Sequence, residues 1–324
     1  MFRPVTQGGS EMKHPAYHLR PNKAVDRIAM VEAIRRLERL VDLKDYTYYG
    51  LGGPYLEEYR LLYEYYPEMK YVSLEKDFET YKRQQFHKPC KILDLKNLDV
   101  GSFLTEWQPN DKSVIFWLDY PDLEYPNFAE FITLLGMIPE KSMVKITLRC
   151  EPTDYFNKAD EFRNKFQSVM PEGSEDPPAT ISEFAYFLQR MLQISAEQAL
   201  PASVTPCVFQ PVASFYYADG VGIFTLTGLV WPRTELPNLK KIFKNWRLQN
   251  LDWSYPKKID VPILSTKERL RLECRLPCKS KTPGKTLRIA LGYLIDEDIA
   301  STESKLEQYA HYHRQFPYFM RAVP

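Results

Sequence analysis

Residues 113–118 read SVIFWL, and none of the six carries a charge. A continuous apolar run of this length is typical of a β-strand that is buried on both faces, as strands of parallel sheets are. Strand-like runs at residues 46–50, 70–75, 90–93 and 142–148 alternate with helix-like runs along the same half of the chain. This alternation predicts a doubly wound, mostly parallel sheet with helices on both of its faces.

The second half of the chain has a different pattern. Residues 153–170 and 181–199 have helical spacing, whereas the β-rich runs on either side of residues 218–220 (ADG) predict a β-hairpin. Further along, STKE at 265–268 has the form of a helix capping box. We therefore expect an α+β elaboration that contains a hairpin and follows the parallel part of the sheet.

The composition is that of an ordinary globular protein, with 44% hydrophobic and 26% charged residues. The 43 basic and 42 acidic residues nearly cancel, so net charge directs the molecule neither to nucleic acid nor to a membrane surface. We see no signal peptide and no run near the ~20 apolar residues that a membrane span needs. The five cysteines suggest no disulfide framework, and we expect a cytoplasmic protein.

A glycine-rich segment, TYYGLGGPYLEEY, joins the first predicted strand to the next helix. Gly50, Gly52 and Gly53 allow a ligand to approach the backbone closely, and a helix N-terminus offers free N–H groups. Glu75 lies 23 residues beyond Gly52, where a carboxylate is well placed to accept hydrogen bonds from ribose. The segment predicts a nucleotide-cofactor pocket; the alternative is a plain tight turn with a solvated acid at Glu75.

The kind of cofactor follows from a resemblance. The full G-x-G-x-x-G motif and the P-loop motif are both absent. The shorter glycine turn followed by an acid resembles class I S-adenosylmethionine-dependent methyltransferases, which have a Rossmann-like fold. The resemblance implies S-adenosylmethionine as cofactor, with the glycines at its methionine part and Glu75 at its ribose. The further cofactor-binding residues that it implies are Leu51, Lys76, Asp94, at the adenine, and Asp119.

The catalytic candidates follow the apolar run, in Asp119-Tyr120-Pro121-Asp122. This segment is similar to the Asp/Asn-Pro-Pro-Tyr/Phe motif of amino-methylating enzymes without matching it. Asp119 would orient the methyl acceptor or act as its base. Tyr120 would stack on a planar acceptor, and Asp122 is either a second catalytic candidate or the cap of the following helix.

Cations open the first predicted helix, residues 23–41, in Arg20-Pro21-Asn22-Lys23. Arg20, Asn22 and Lys23 would hold a carboxylate or phosphate of cofactor or substrate. The alternative is a set of surface charges at a helix N-terminus, where cations are mildly unfavourable. We favour the ligand contact. We assign no metal-ligand set, because no histidine or cysteine pair has convincing metal spacing.

Over most of its length the chain resembles bacterial proteins labelled "putative O-methyltransferases", whose substrate is unassigned. The similarity rests on LRPNKAVDR, YYGLGGPYLEEYRLLYE, YVSLEKD, FWLDYPD, SFYYADGVGIFTLTGL and EQYAHYHRQFPYF. The wider family has an acid two residues before the first glycine, where this chain has Tyr48. We divide the chain into an N-terminal arm (1–20), an S-adenosylmethionine-binding domain with its lead-in helix (21–150), and a helical and hairpin elaboration (151–324). The elaboration would complete the central sheet and form the substrate or assembly face.

Two alternatives to an active methyltransferase remain open. One is a binding or assembly subunit on a degenerate methyltransferase fold, with a protein partner or a second copy of the chain. The other is a nucleic-acid-directed methyltransferase that uses residues 239–258, which are basic and aromatic. That segment is also compatible with an amphipathic helix whose lysines extend to solvent, which we favour.

Overall fold

A computed structural model describes residues 20–109, 112–155, 157–173 and 176–316. The arm predicted at 1–20 therefore lies outside the described residues, apart from Arg20. The described part is built around one eight-stranded sheet in the order β3-β2-β1-β4-β5-β7-β6-β8. No helix in these ranges is long and apolar enough to cross a membrane.

The strands are β1 (Thr47–Gly50), β2 (Lys70–Leu74), β3 (Leu93–Lys96), β4 (Val114–Asp119), β5 (Met143–Arg149), β6 (Cys207–Ala218), β7 (Gly222–Pro232) and β8 (Lys257–Lys258). The α-helices are α1 (Pro21–Leu37), α2 (Glu57–Tyr65), α3 (Phe78–His87), α4 (Val100–Glu106), α5 (Tyr125–Met137), α6 (Ala159–Phe166), α7 (Ile181–Ala199), α8 (Leu236–Lys244), α9 (Thr266–Glu273), α10 (Pro283–Leu291) and α11 (Ile299–Tyr312).

The first five strands are parallel, which confirms the predicted Rossmann-like, doubly wound sheet. The strand order reverses between β1 and β4, so this pair forms the topological switch point at which such sheets bind ligands. The predicted hairpin is also present, and its second strand, β7, joins the same sheet antiparallel to β5. The elaboration thus extends the sheet beyond its parallel part.

Strand β4 is the buried run from which the prediction started. Ile115 and Trp117 face the cluster that contains α1, whereas Phe116 and Leu118 face the cluster that contains α5 and α7. Both faces of the strand are covered by apolar side chains, so neither face contacts solvent. The sequence of β4 is therefore continuously apolar and does not alternate with polar residues. The sheet therefore lies between two hydrophobic layers.

Two local predictions were wrong, and one helix was missed. Strand β3 begins at Leu93, the residue at which the predicted strand (90–93) ended. The prediction failed because this short edge strand has few apolar residues to mark its position. Helix α2 begins at Glu57, whereas the sequence predicted a start at Tyr55. Gly52, Gly53 and Leu56 all have positive φ angles, which helical residues do not adopt. Helix α10 was not predicted at all.

A buried ion pair attaches α1 to the sheet. The Nζ atom of Lys145, on β5, lies 2.5 Å from Oδ1 of Asp26, and their side chains are 1% and 0% exposed. The Thr225 hydroxyl donates a hydrogen bond of 3.1 Å to the same carboxylate, and the Lys145 ammonium lies over the Trp117 ring. A buried charge is tolerated only when it is paired and hydrogen-bonded, so these contacts fix the position of α1.

We predict that Asp26→Ala lowers the free energy of unfolding by about 3–5 kcal/mol, because it leaves the Lys145 ammonium buried without its partner. The double variant Asp26→Leu/Lys145→Met should lose much less, since no uncompensated charge remains. Urea unfolding followed by circular dichroism measures both. Equal losses in the single and double variants would contradict this assignment.

Candidate functional site

The glycine bend (residues 50–53) lies at the carboxyl end of the switch-point strand β1. Gly50 is paired with Ser73 on β2 and with Trp117 on β4. The two predicted acids, Glu75 and Asp119, each lie two residues beyond these partners, roughly 7 Å further along at 3.3 Å per residue. The structure therefore brings the bend, Glu75 and Asp119 to the same edge of the sheet, as the sequence predicted.

Close packing on one side of the bend explains why glycine is needed at Gly52. Its φ angle is +66°, and an added Cβ would lie 2.7 Å from both Leu56 Cδ2 and Ser73 Oγ. Gly53 also has a positive φ angle, +51°, but no atom lies within 4 Å of a Cβ built there. The bend is thus tightly packed at Gly52 and has open space beside Gly53.

Two side chains that the sequence analysis missed hold the bend. The Gln84 side-chain amide, on α3, donates hydrogen bonds to the carbonyl oxygens of Leu51 (3.2 Å) and Gly53 (3.0 Å). The Tyr59 hydroxyl lies 2.8 Å from the carbonyl oxygens of both Gly50 and Val72, so one donor proton is shared between them. Both residues lie on helices with no local motif, and no sequence signal would have identified them.

Glu75 is partly buried, and its carboxylate retains acceptor capacity. Its Oε1 accepts one hydrogen bond, of 2.9 Å, from the backbone N–H of Asp77. Burial raises the pKa of Glu75, although that hydrogen bond opposes the change. Lys76 is exposed beside it, and the Asn97 side chain donates to the carbonyl oxygens of both residues. Glu75 is therefore held at its backbone, with its side chain at the edge of the site.

Asp94, the predicted adenine contact, was expected after the third strand, and that position is wrong. Asp94 lies inside β3, opposite Val72, with an exposed side chain 3.6 Å from the Lys96 ammonium. The error follows from the late start of β3, which places Asn97 and Asp99 beyond its carboxyl end. The Asp99 carboxylate caps α4 by accepting a hydrogen bond from the backbone N–H of Ser102.

Asp119 forms an ion pair with Lys23, although separate roles were predicted for the two residues. The Nζ–Oδ2 distance is 2.7 Å, and the side chains are 13% exposed for Lys23 and 32% for Asp119. Burial alone would raise the pKa of Asp119, but Lys23, Arg27 and Lys145 outweigh it, so the pKa is lowered. Asp119 is therefore ionised at neutral pH and remains partly accessible.

Asn22 has a structural role in place of the predicted ligand contact. Its Nδ2 donates to the Ala218 carbonyl (3.2 Å) and to Asp219 Oδ1 (2.9 Å), while its Oδ1 accepts from the Val261 N–H. The Asp219 carboxylate also accepts from the backbone N–H of Lys23 and interacts with Arg20. Asp219, in the hairpin turn, thus provides the negative charge at the N-terminus of α1. A ligand had been predicted to provide that charge.

The side chains at the start of α2 extend this charged group of residues. Arg27 Nη1 lies 2.6 Å from Glu57 Oε2, with side chains that are 12% and 22% exposed. Burial raises the pKa of Glu58, the next residue, although the charges of Arg27 and Lys23 oppose the change. We call Lys23, Arg27, Asp119 and Glu58 the charge cluster. No role of Arg27 or Glu58 was predicted from the amino-acid sequence.

Tyr120 is not free to stack on an acceptor, so that prediction was wrong. Its side chain is 8% exposed within the hydrophobic layer, and its hydroxyl donates a 2.5 Å hydrogen bond to Glu130 Oε2. Asp122 is exposed in the loop that follows β4. It is not the cap of α5, because Glu124 forms that capping box with Asn127. Asp122 stays a catalytic candidate from sequence only.

Only the first part of segment 239–258 is helical, because α8 ends at Lys244, and this part has the buried apolar side expected of an amphipathic helix. Leu239 and Phe243 are fully buried, whereas the α8 lysines line an open cavity of about 520 Å³ together with Asp252.

Another open cavity, of about 630 Å³, is lined by residues near the end of α1 and the end of α2, away from the glycine bend. Among the residues described, no group of three or more His, Cys, Asp or Glu side chains is placed to hold a metal ion.

The fold and the site define a Rossmann-like α/β protein with a glycine bend and ionised side chains at its switch point. The protein family described as "Putative O-methyltransferase" matches residues 15–324, and the chain belongs to this family. No curated protein matches the chain by sequence.

Three solved structures illustrate how distant the similar folds are. The Pyrococcus horikoshii protein PH0793 is 11% identical, over 62% of this chain and 63% of that one, with a TM-score of 0.36. LepI in complex with SAM is 11% identical, over 61% and 46%, with a TM-score of 0.38. The plantazolicin methyltransferase BpumL in complex with SAH is 11% identical, over 64% and 85%, with a TM-score of 0.36. The chain thus spans less than two thirds of the first two structures, and we draw no functional conclusion from these likenesses.

We predict that Gly52→Ala destabilises the protein more than Gly53→Ala does. Both changes place a side chain at a positive φ angle, at a cost of about 1–2 kcal/mol. Only Gly52→Ala adds steric contacts, at 2.7 Å, which cost about 1–3 kcal/mol more. Denaturant unfolding of the two variants measures the difference, and equal losses would show that the packing around Gly52 is not limiting.

We predict that His311, away from the site, makes stability depend on pH. Burial, with Arg247 and Lys257, lowers the pKa of His311 from 6.5 to about 4. The unfolded chain therefore binds this proton near pH 6.5 and the folded chain only near pH 4, so the free energy of unfolding falls as pH falls between these values. His311→Gln should make that decline shallower in urea unfolding at pH 7, 6, 5 and 4; an unchanged slope would contradict the assignment.

Proposed function

We propose that the chain is an S-adenosylmethionine-dependent methyltransferase whose cofactor binds at the glycine bend, between Glu75 and Asp119. The observation that carries the proposal is the convergence of these three features at the switch point of the sheet. Family membership supports methyl transfer, with an oxygen atom of an unidentified acceptor as its target.

The residues present fit the chemistry of this cofactor. Open space beside Gly53 allows a ligand to approach the backbone, and Leu51 and Gly53 are kept in place by Gln84. The free acceptor capacity of Glu75 suits the two hydroxyls of a ribose, with Lys76 beside it. S-adenosylmethionine ends in an amino acid that carries both charges, and the charge cluster offers two cations and two carboxylates.

When bound, S-adenosylmethionine supplies a methyl group on a positively charged sulfur, which is a strong electrophile. The chain must then align the acceptor with that methyl group and manage the acceptor's proton. Asp119 is suited to the alignment, because its ionised, partly exposed carboxylate accepts a hydrogen bond from an acceptor hydroxyl. Its lowered pKa makes it a weak base, so the proton passes on to solvent as the bond to carbon forms.

Lys23 has a positioning role in this scheme. Its ammonium is bonded to Asp119 Oδ2, which leaves Oδ1 as the oxygen for the acceptor. The backbone N–H of Lys23 donates a hydrogen bond to Asp219. Together with the ion pair to Asp119, this bond holds the N-terminus of α1 at the carboxyl end of β4. We also propose a cytoplasmic location, as predicted from the sequence, because all five cysteines are free.

The proposal is tested by calorimetry of S-adenosylmethionine and S-adenosylhomocysteine binding to the whole chain. We expect Glu75→Gln to weaken binding by about tenfold to a hundredfold, since hydrogen bonds to a charged group contribute about 1.5–3 kcal/mol. Glu79→Gln, an exposed acid at the start of α3, is the matched control and should bind as the wild type does. Absence of binding by the wild type, or equal binding by Glu75→Gln, would refute the proposed pocket.

A further inference from the structure

A basic surface lies on α9, α10 and the connection between them, although the charges of the whole chain nearly cancel. Residues 265–291 contain eight basic and two acidic side chains. Within this segment Arg269 is paired with Glu273, and Arg288 is paired with Glu303 of α11. The other six basic side chains are all exposed, and none of them forms an ion pair with another residue of the described ranges. We call these six the basic face: Lys267, Arg271, Arg275, Lys279, Lys281 and Lys285.

The two helices display the basic face on the outside because their inner sides are buried. Leu272, on α9, and Leu287, on α10, are 0% exposed and belong to the hydrophobic cluster that contains α1. The Arg271 Nε donates a hydrogen bond of 3.2 Å to the Ala290 carbonyl oxygen, which joins α9 to the end of α10. The cations are therefore carried by helices that are packed against the core and against each other.

The basic face begins on the side of the molecule that carries the proposed site. Strand β8 runs in the same direction as β4, so it ends at the same edge of the sheet. Just beyond β8, the backbone N–H of Val261 donates a hydrogen bond of 2.9 Å to Asn22, which is next to Lys23, the partner of Asp119. Helix α9 starts five residues after Val261, which is at most about 18 Å of chain. A ligand on the basic face therefore starts close to the edge at which Asp119 lies.

The lysines of α8 lie at the other edge of the sheet. Strand β7 is antiparallel to β5, so α8, which follows β7, begins at the edge opposite the site. Lys240, Lys241 and Lys244 are exposed there and share their cavity with Asp252. They offer the same kind of charge in a different place, so they can separate an effect of position from an effect of net charge.

Apolar side chains lie between the cations of the basic face. Leu270 is 59% exposed and adjoins Arg271, and Ile289 is 63% exposed one helical turn beyond Lys285. Lysine and arginine bind phosphate groups, whereas exposed apolar side chains can contact the faces of unstacked bases. A duplex keeps those faces stacked inside, so the mixture of cations and apolar groups complements a single strand.

A membrane surface complements this face less well. A helix that lies on a bilayer directs its apolar side to the lipid. In α9 and α10 that side is packed into the protein core through Leu272 and Leu287. The exposed side is mainly cationic, which suits a chain of phosphate groups in water.

We propose that the basic face binds the sugar-phosphate backbone of a single-stranded nucleic acid. This inference goes beyond the proposed function, because it identifies a partner and does not involve the cofactor. The six cations replace counterions along the strand, so binding weakens as the salt concentration rises. Leu270 and Ile289 contact the bases and add a contribution that comes from apolar burial and not from charge.

The test is fluorescence anisotropy of a labelled single-stranded RNA, about 16 nucleotides long, with the whole chain over a range of salt concentrations. The variant Lys279→Gln/Lys281→Gln/Lys285→Gln removes three exposed cations. We expect it to bind about tenfold to a hundredfold more weakly than the wild type at about 0.1 M salt. The logarithm of its affinity should also fall less steeply with the logarithm of the salt concentration, by about 2, because each phosphate contact contributes about 0.7.

The variant Lys240→Gln/Lys241→Gln/Lys244→Gln is the matched control, because it removes the same charge from exposed positions on α8. It should bind the RNA as the wild type does. Leu270→Ser should weaken binding by about twofold to fivefold and leave the salt dependence unchanged, since it removes an apolar contact only. Circular dichroism checks that all three variants are folded.

Four results would overturn the inference: no RNA binding by the wild type at low salt, binding that does not respond to salt, an equal loss in the α8 control, or tighter binding of duplex DNA of the same sequence. Binding to phosphatidylserine vesicles without binding to RNA would assign the face to lipid and overturn it too. The proposed function is tested separately, since RNA binding by a chain that binds no S-adenosylmethionine would support the basic face and refute the cofactor pocket.

Discussion

The buried ion pair between Asp26 and Lys145 determines where α1 lies on the sheet. Asp26 is four-fifths of a helical turn from Lys23 and adjacent to Arg27, so anchoring it sets the height of both cations above the strand ends. Asp219 fixes the helix from the other side by binding the N–H of Lys23. A pair that is expensive to bury thus gives the site its geometry, and its hydrogen bonds and mutual attraction oppose the desolvation cost.

The glycine bend depends on a second set of contacts, made by uncharged groups. Gln84 and Tyr59 satisfy carbonyl oxygens that the bend leaves without strand partners, and Leu56 fills the space beside Gly52. Buried carbonyl groups without partners would be unfavourable, so these contacts stabilise a backbone shape that glycine permits. Asp119 of the charge cluster lies two residues beyond Trp117, the β4 partner of Gly50. The proposed cofactor would therefore contact a rigid backbone on one side and ionised side chains on the other.

Much of this arrangement was predictable, and the parts that failed share one cause. The parallel order, the hairpin, the bend and the positions of Glu75 and Asp119 follow from local patterns of apolar residues and glycines. Asp94 was misplaced because a short edge strand has only a weak pattern of apolar residues. The role of Tyr120 was wrong because no local sequence pattern shows that this side chain is buried. Asn22 was read as a ligand contact, although its partners are residues 218, 219 and 261, which no local pattern connects to it.

The amino-acid sequence by itself determined the periodicity of the strands and helices, the glycines at the end of β1 and the spacing of the acids along the chain. These are properties of neighbouring residues, and the backbone geometry of parallel strands converts them into positions at one edge of a sheet. Only the tertiary structure decided which charges meet. Lys23 and Asp119 are separated by 96 residues, and Asp26 and Lys145 by 119. Such pairs form because burial makes an unpaired charge too costly, a condition that exists only once the chain has folded.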